Sequence, residues 1–444
     1  MKRIRQFILG AVLSTLLFSP GVEAQQVTGR LGTAIYTWKP FDSVGTARSV
    51  IRGYETFQFG LSQGNFALQT AGTASMNLNA PFGELGDVRI SNLFLRWKNA
   101  VNGVDVSLGR IPVFAGVGIG TVDGGMVKIR SEKHVGGMIY GGANVSPTLA
   151  TAGTDNLSER LRNNFLLGGQ VTATMFGTMH VSASYMNRRI AVPAYYGIRP
   201  DSLLNPISML FSPEPRSQQY AGVDIRYECA ESATLYGRYD YDLNFERMLR
   251  GELSGRLPLS AALAVTGDFM YRQPWLSYHT FFDVFPVSST NEYGGGLEYA
   301  VGPAIWTFGK VAYVRYTDTN TIRYTVGVNS PYWGLSYSGA TGYAGELTGI
   351  SAQARYPLMD RKVIPSLQAA YSSYRLSAFE ANRSTVFSLA GGGCYYPIPQ
   401  LGFDLQVQWL NNPYYAKDVR LFAKIDYWFS HNLRLFGGEG VGHE

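Results

Sequence analysis

The chain has 444 residues, of which 16% are charged, 14% aromatic and 51 glycine, with a formal net charge of +6. Soluble globular chains carry about 25% charged residues and about 7% glycine, and disordered chains carry few aromatics, so neither class fits. Beyond the N-terminus no stretch approaches the roughly 18 consecutive apolar residues that a membrane-spanning helix requires.

Residues 1–24 read as a secretory signal. Lys2, Arg3 and Arg5 precede a largely apolar run from Phe7 to Phe18, followed by the breakers Pro20 and Gly21 and the small-residue cleavage site Val22-Glu23-Ala24. That run is too short for a spanning helix, so it predicts export, with the mature chain beginning near Gln25. Without the signal the net charge falls to +4, too small to predict a nucleic-acid partner.

Further along, polar and apolar residues alternate with period two, the mark of a two-faced strand. Phe165, Leu167, Val171 and Ala173 alternate with Asn164, Gln170 and Thr172. After the tight turn Gly177-Thr178, Met179, Val181, Ala183 and Tyr185 oppose His180, Ser182, Ser184 and Arg188. Val223, Ile225 and Tyr227 then oppose Asp224, Arg226 and Glu228, and Leu235, Gly237, Tyr239 and Tyr241 oppose Arg238, Asp240 and Asp242. The same pattern sets Leu249, Leu253 and Leu257 against Arg250, Glu252 and Arg256, and Val265, Phe269 and Tyr271 against Asp268 and Arg272. Near the end Phe403, Leu405, Val407 and Trp409 oppose Asp404, Gln406 and Gln408.

Runs of this length match the 9 to 11 residues that a tilted strand needs to cross a bilayer, whereas sandwich strands are nearer 5 or 6. Glycines on the apolar parity, such as Gly237, Gly251, Gly255, Gly267 and Gly295, suit a face against fluid lipid better than a close-packed core. Short turns fall near residues 62, 100, 132, 177, 231, 259, 302, 360, 398 and 430. Longer segments lie between them, including 111 to 124, 189 to 217, 273 to 291 and 318 to 345.

This alternation predicts an all-β chain forming a single antiparallel transmembrane β-barrel of about 16–20 strands, with short periplasmic turns and long extracellular loops. The barrel is expected over 25–429, with 430–444 as a tail or short closing strand, Asn432 to Phe436. Tyr227, Tyr299, Tyr356, Tyr395 and Tyr427 precede short turns on the apolar parity and predict an interfacial girdle.

On these residues the mature chain resembles the porin-like outer-membrane β-barrels of Gram-negative bacteria, an architecture rather than one family. The resemblance implies a location in the bacterial outer membrane, contact with its lipid, and passive passage of small hydrophilic solutes. A homo-oligomer and a periplasmic partner are both compatible with it. Such barrels typically finish at an aromatic residue of the closing strand, whereas here fifteen residues follow Phe429.

If apolar residues face lipid, the opposite parity lines the pore: Asp224, Arg226, Glu228, Arg238, Asp240, Asp242, Arg250, Glu252, Arg256, Asp268, Arg272, Glu298, Arg355, Asp404, Arg420, Lys424 and Asp426. Buried dry, unpaired charges would each cost several kcal/mol, so the interior holds water, paired networks or a polar partner. Arg226, Arg238, Arg250, Arg256 and Arg272 allow two readings. One is a ladder guiding anions; the other, favoured because cross-strand opposite charges ordinarily pair, is wall-stiffening ion pairs with Asp224, Asp240, Glu252 and Asp268.

The apolar, glycine-rich segment containing Ile111, Val113, Phe114, Val117 and Ile119 is a candidate constriction loop, since an external loop would expose it. The segment Ile190 to Ser217, with Tyr195, Tyr196, Leu203, Leu204, Met209, Leu210 and Phe211, is a candidate cap or contact surface. Cys229 and Cys394 stand on opposite parities, which predicts no bridge, and no metal- or cofactor-binding spacing is present.

Two other functions stay in view. His180 beside Ser182 and Ser184 is the sole lumen-parity histidine on a strand, but no acidic orienter accompanies it, so no catalysis is expected. A wide charged bore also suits a sleeve for a periplasmic electron carrier.

Overall fold

A strand with one apolar and one polar face cannot leave its backbone edge unpaired in a membrane, and a sheet of such strands escapes that cost by closing on itself. The computed structural model describes residues 25–433 apart from 40–48, 80–86, 131–133, 146–160, 191–193, 201–204, 212–215, 230–232, 275–288, 318, 343–344, 376–381 and 414–417. The expected signal at 1–24, the tail beyond 433, and Leu203, Leu204, His279 and His443 lie outside the described residues.

The chain begins with β1 (Gln25–Trp38), β2 (Val50–Gln63), β3 (Phe66–Asn77), β4 (Asp87–Val101), β5 (Val104–Ala115), β6 (Gly118–Arg130), β7 (Val135–Asn144), β8 (Phe165–Met175) and β9 (Met179–Ile190). A short hairpin follows, β10 (Tyr195–Pro200) and β11 (Pro206–Phe211). Next come β12 (Arg216–Glu228), β13 (Thr234–Asp242), β14 (Arg247–Pro258), β15 (Leu263–Arg272), β16 (Thr290–Gly302), β17 (Ile305–Arg315) and β18 (Asn320–Asn329). The chain completes with β19 (Trp333–Gly342), β20 (Glu346–Arg355), β21 (Val363–Arg375), β22 (Ser384–Ile398), β23 (Leu401–Asn411) and β24 (Asp418–Leu433).

Strands β10 and β11 pair only with each other, and the other 22 form one antiparallel sheet in which β9 passes to β12 and β24 returns to β1. That closing pair runs from Gln25↔Leu433 to Tyr36↔Phe422, leaving no edge. The fold is the expected single all-β barrel.

The strand number exceeds the expected 16–20. One hairpin went unrecognised: Ser330–Tyr332 joins β18 to β19 inside the segment 318 to 345, with the Ser330 hydroxyl accepting from the Tyr332 and Trp333 amides at 3.2 and 3.1 Å. Near the turn its inward face carries Thr325, Asn329, Ser336 and Ser338 rather than charges, so the alternation there is muted. At the other error, no turn lies near 430. Strand β24 continues to Leu433, so the barrel extends past 429 and Asn432 belongs to β24 rather than to a separate strand.

Outward residues are apolar and bare: Leu297 is 55% exposed and Leu405 54%. Added at Gly267 on this face, a Cβ would meet nothing within 4 Å. The tyrosines expected to form a girdle, Tyr227, Tyr299, Tyr356, Tyr395 and Tyr427, are all exposed on this side. Tyr356 lies just past β20 with its ring 5.0 Å from that of Tyr332, and Tyr395 and Tyr427 stack with Phe403 and Phe429 at 6.3 and 6.0 Å. An apolar band this extensive, closed and flanked by aromatics, is a lipid-facing surface.

The β10–β11 hairpin displays Tyr196, Ile198, Met209 and Leu210 to solvent. Cys229 lies beyond β12 and Cys394 opposite Asp404 on β23, and both are free.

Candidate functional site: the lumen and the hairpin inside it

The segment expected to be a constriction loop is instead the end of two strands, β5 and β6, joined by the two residues Gly116-Val117. Its path is set by glycines. Gly109 faces Gly124, and Gly124 faces Gly142 on β7, all on the inward parity. A Cβ on Gly142 would lie 2.5 Å from the Asp123 carbonyl and 2.7 Å from the Gly124 Cα, so the backbones approach as only glycine permits. Gly109, at φ 127°, adopts a conformation that L side chains rarely reach. At this row the sheet creases toward its inner side, and the part of β6 that precedes Val122 leaves β7.

Beyond the crease the hairpin lies against the inner wall of β7, β8, β9, β12 and β13. Ile111, Val113, Ala115 and Val122 are buried with Phe94, Tyr140, Leu166 and Met186, the principal apolar cluster among the described residues. Val117 packs where a Cβ on Gly222 of β12 would stand. Polar contacts complete the seat: the Val117 amide donates to the Ser184 hydroxyl at 3.1 Å, and Arg238 donates to the Gly116 carbonyl at 3.3 Å. Arg110 and Asp123 pair at 2.7 Å beside the crease.

The face turned away from the wall is apolar. Phe114 is 74% exposed and Ile119 55%. Of the five candidate residues, then, Ile111, Val113 and Val117 fasten the hairpin, while Phe114 and Ile119 present a greasy surface to the bore.

Most inward charges end on a partner. Arg226 pairs with Glu228 at 2.8 Å, Arg238 with Asp240 at 3.0 Å, Arg256 with Glu298 at 2.9 Å, and Arg250 with Glu252. Asp268 takes Lys310 at 2.7 Å. Asp224 accepts from the Ser182 hydroxyl rather than from an arginine. Arg420 pairs with Asp418 at 2.7 Å, and Asp426 lies between Lys424 at 2.8 Å and Arg30 at 3.0 Å. Asp242 accepts from the Asn244 and Phe245 amides, fixing the β13–β14 turn.

Arg272 stands opposite Arg250 and donates to the Met270 sulfur at 3.2 Å, Asp404 stands opposite Lys424, and Arg355 is exposed at the end of β20. Several pairs lie along one strand, two residues apart, rather than across strands. Sequence reasoning missed Arg30, Asp418, Lys310 and the Glu292–Arg323 pair. Carrying the parity rule through β1, β16–β18 and the start of β24 would have found them.

Where the sequence sets His180 beside two serines, His180 Nδ1 meets Thr174 at 2.9 Å, Ser182 is bonded to Asp224, and Ser184 holds the hairpin. No serine hydroxyl is hydrogen-bonded to that imidazole among the described residues.

The chain is built as a membrane barrel. No protein-family model and no curated protein matches its sequence. Among solved structures it is similar to OccAB4 of Acinetobacter baumannii, at 8% identity and TM-score 0.45 over 93% of this chain and 100% of that one. It is also similar to a BenF-like porin from Pseudomonas fluorescens Pf-5, at 10% identity and TM-score 0.45 over 92% and 99%. A third is the translocation pore of the P pilus usher PapC, at 10% identity and TM-score 0.44 over 91% and 99%.

Proposed function

We propose that the chain is a channel of the bacterial outer membrane through which small hydrophilic solutes pass passively, narrowed by the β5–β6 hairpin. The observation that carries this reading is the combination of a closed barrel, bare apolar residues outside and ion pairs inside, with the hairpin seated by its own buried cluster. The export signal expected at residues 1–24 supports the location. A sleeve for a periplasmic protein needs the whole bore, and a hairpin anchored in it weighs against that use.

The test is single-channel recording of the purified chain in planar bilayers, beside a variant lacking residues 113–120 in which Asn-Gly joins Pro112 to Thr121. Steady steps that grow larger in the shortened variant are expected. A protein that inserts but passes no current contradicts the channel reading, and steps of equal size in both contradict the role given to the hairpin.

A further inference from the structure

The inner wall changes character between β19 and β23. On strands β12–β17 inward carboxylates and cations recur, and β24 and β1 share the Lys424–Asp426–Arg30 group. From β19 to β23, among the described residues, the inward parity carries only two ionised side chains, Arg355 and Asp404, both toward the short-turn end. Amides, hydroxyls and small residues fill the middle of that wall, with Leu347, Val386 and Leu410 toward the long-connection end and Ile364 toward the short-turn end.

Within it Ser336, Ser351, Gln353, Gln368, Gln406 and Gln408 line an open cleft of about 400 Å³. Ser336 and Ser351 bond to each other at 2.7 Å, and Gln408 donates to Ser388 at 2.8 Å. The amide ends of Gln353, Gln368 and Gln406 have no hydrogen-bond partner among the described residues. Each offers two donors and a two-lone-pair acceptor to whatever occupies the bore.

We propose that this wall is a binding track for neutral polyhydroxylated solutes, of the class of small oligosaccharides. The proposal rests on the channel reading. A sugar hydroxyl donates and accepts at once, and so does a carboxamide, whereas a carboxylate or ammonium group finds no counter-charge among the residues lining this cleft. Most cations elsewhere in the bore are paired with carboxylates, which weakens the field that they set up for a charged solute. Several weak, equivalent sites in succession also meet the requirement that a permeating solute can leave as readily as it enters.

The experiment records KCl current through the full chain in planar bilayers and adds raffinose, a neutral trisaccharide, or trigalacturonate, its charged counterpart in length. The same is done with the variant Gln353→Ala/Gln368→Ala/Gln406→Ala, whose KCl current reports that its barrel has assembled. Raffinose is expected to interrupt the current at lower concentration than trigalacturonate. Its half-blocking concentration should rise about tenfold in the triple variant, the order expected when a few neutral hydrogen bonds are removed. Current without interruption by raffinose, equal interruption in the triple variant, or stronger block by trigalacturonate overturns the track. Absence of any KCl current in the unaltered chain overturns the channel reading instead.

Discussion

Tyr140 is where the hairpin meets the wall. Its ring is 5% exposed, and its hydroxyl lies against Gly118 and Gly168, where any Cβ would collide with it. That hydroxyl has no hydrogen-bond partner among the described residues. A buried donor left unsatisfied is unfavourable, while the ring contributes by burial. Tyr140→Phe is therefore expected to leave stability unchanged or raise it by about 1 kcal/mol. Tyr140→Ala opens a cavity and should cost about 3–5 kcal/mol, as large aromatic truncations do. Urea unfolding of the vesicle-inserted protein checks both, and a Phe variant as damaged as the Ala variant would show that the hydroxyl is bonded. At this scale the sequence was legible for parity, which put Arg238 and Asp240 on one side, but not for partners. Asp224 stands opposite both Ser182 on β9 and Arg238 on β13, and it takes the hydroxyl while Arg238 turns to Asp240 along its own strand, a choice that alternation alone does not specify.

Among the elements, the sharpest contrast between sequence and structure is the stretch Ile111 to Gly120. Its apolar, glycine-rich composition predicts a segment folded into the lumen, but no charged residue marks the alternation of its tip, so the sequence shows a loop where two strands run. Strand pairing there depends on the glycine row Gly109, Gly124 and Gly142, which comes from three separate strands and meets only in the folded sheet. A similar lack of charge hid the β18–β19 turn.

Strand β23 gives the opposite case, with clear alternation and a face assignment read directly from residues. Leu405→Arg, facing outward, should destabilise the inserted barrel by about 2–4 kcal/mol, the cost of arginine near a bilayer midplane, whereas Gln406→Arg next to it should cost far less. Equal effects, measured by the same urea titration, would mean that the two faces share one environment.

At the level of the molecule, closure rests on β1 and β24, which add two strands that a count of hairpins leaves out. The all-β class, the single barrel and the alternation of short and long connections follow from period-two patterning, whereas the strand number depends on how the two ends meet. Deleting residues 418–433 exposes two edges and should abolish a detergent-stable folded form on unheated gels, leaving a chain that aggregates. A truncated chain that still migrated as a compact species would place closure elsewhere.

The division into a lipid side and a water side is most directly tested on β23 in membranes. Single cysteines are placed in turn at Phe403, Leu405, Gln406, Val407, Gln408 and Trp409 in a Cys229→Ser/Cys394→Ser background and exposed to a charged, water-soluble maleimide in liposomes. Positions 406 and 408 should label readily and 403, 405, 407 and 409 should be protected. Uniform labelling, or protection on the even positions, would contradict the account.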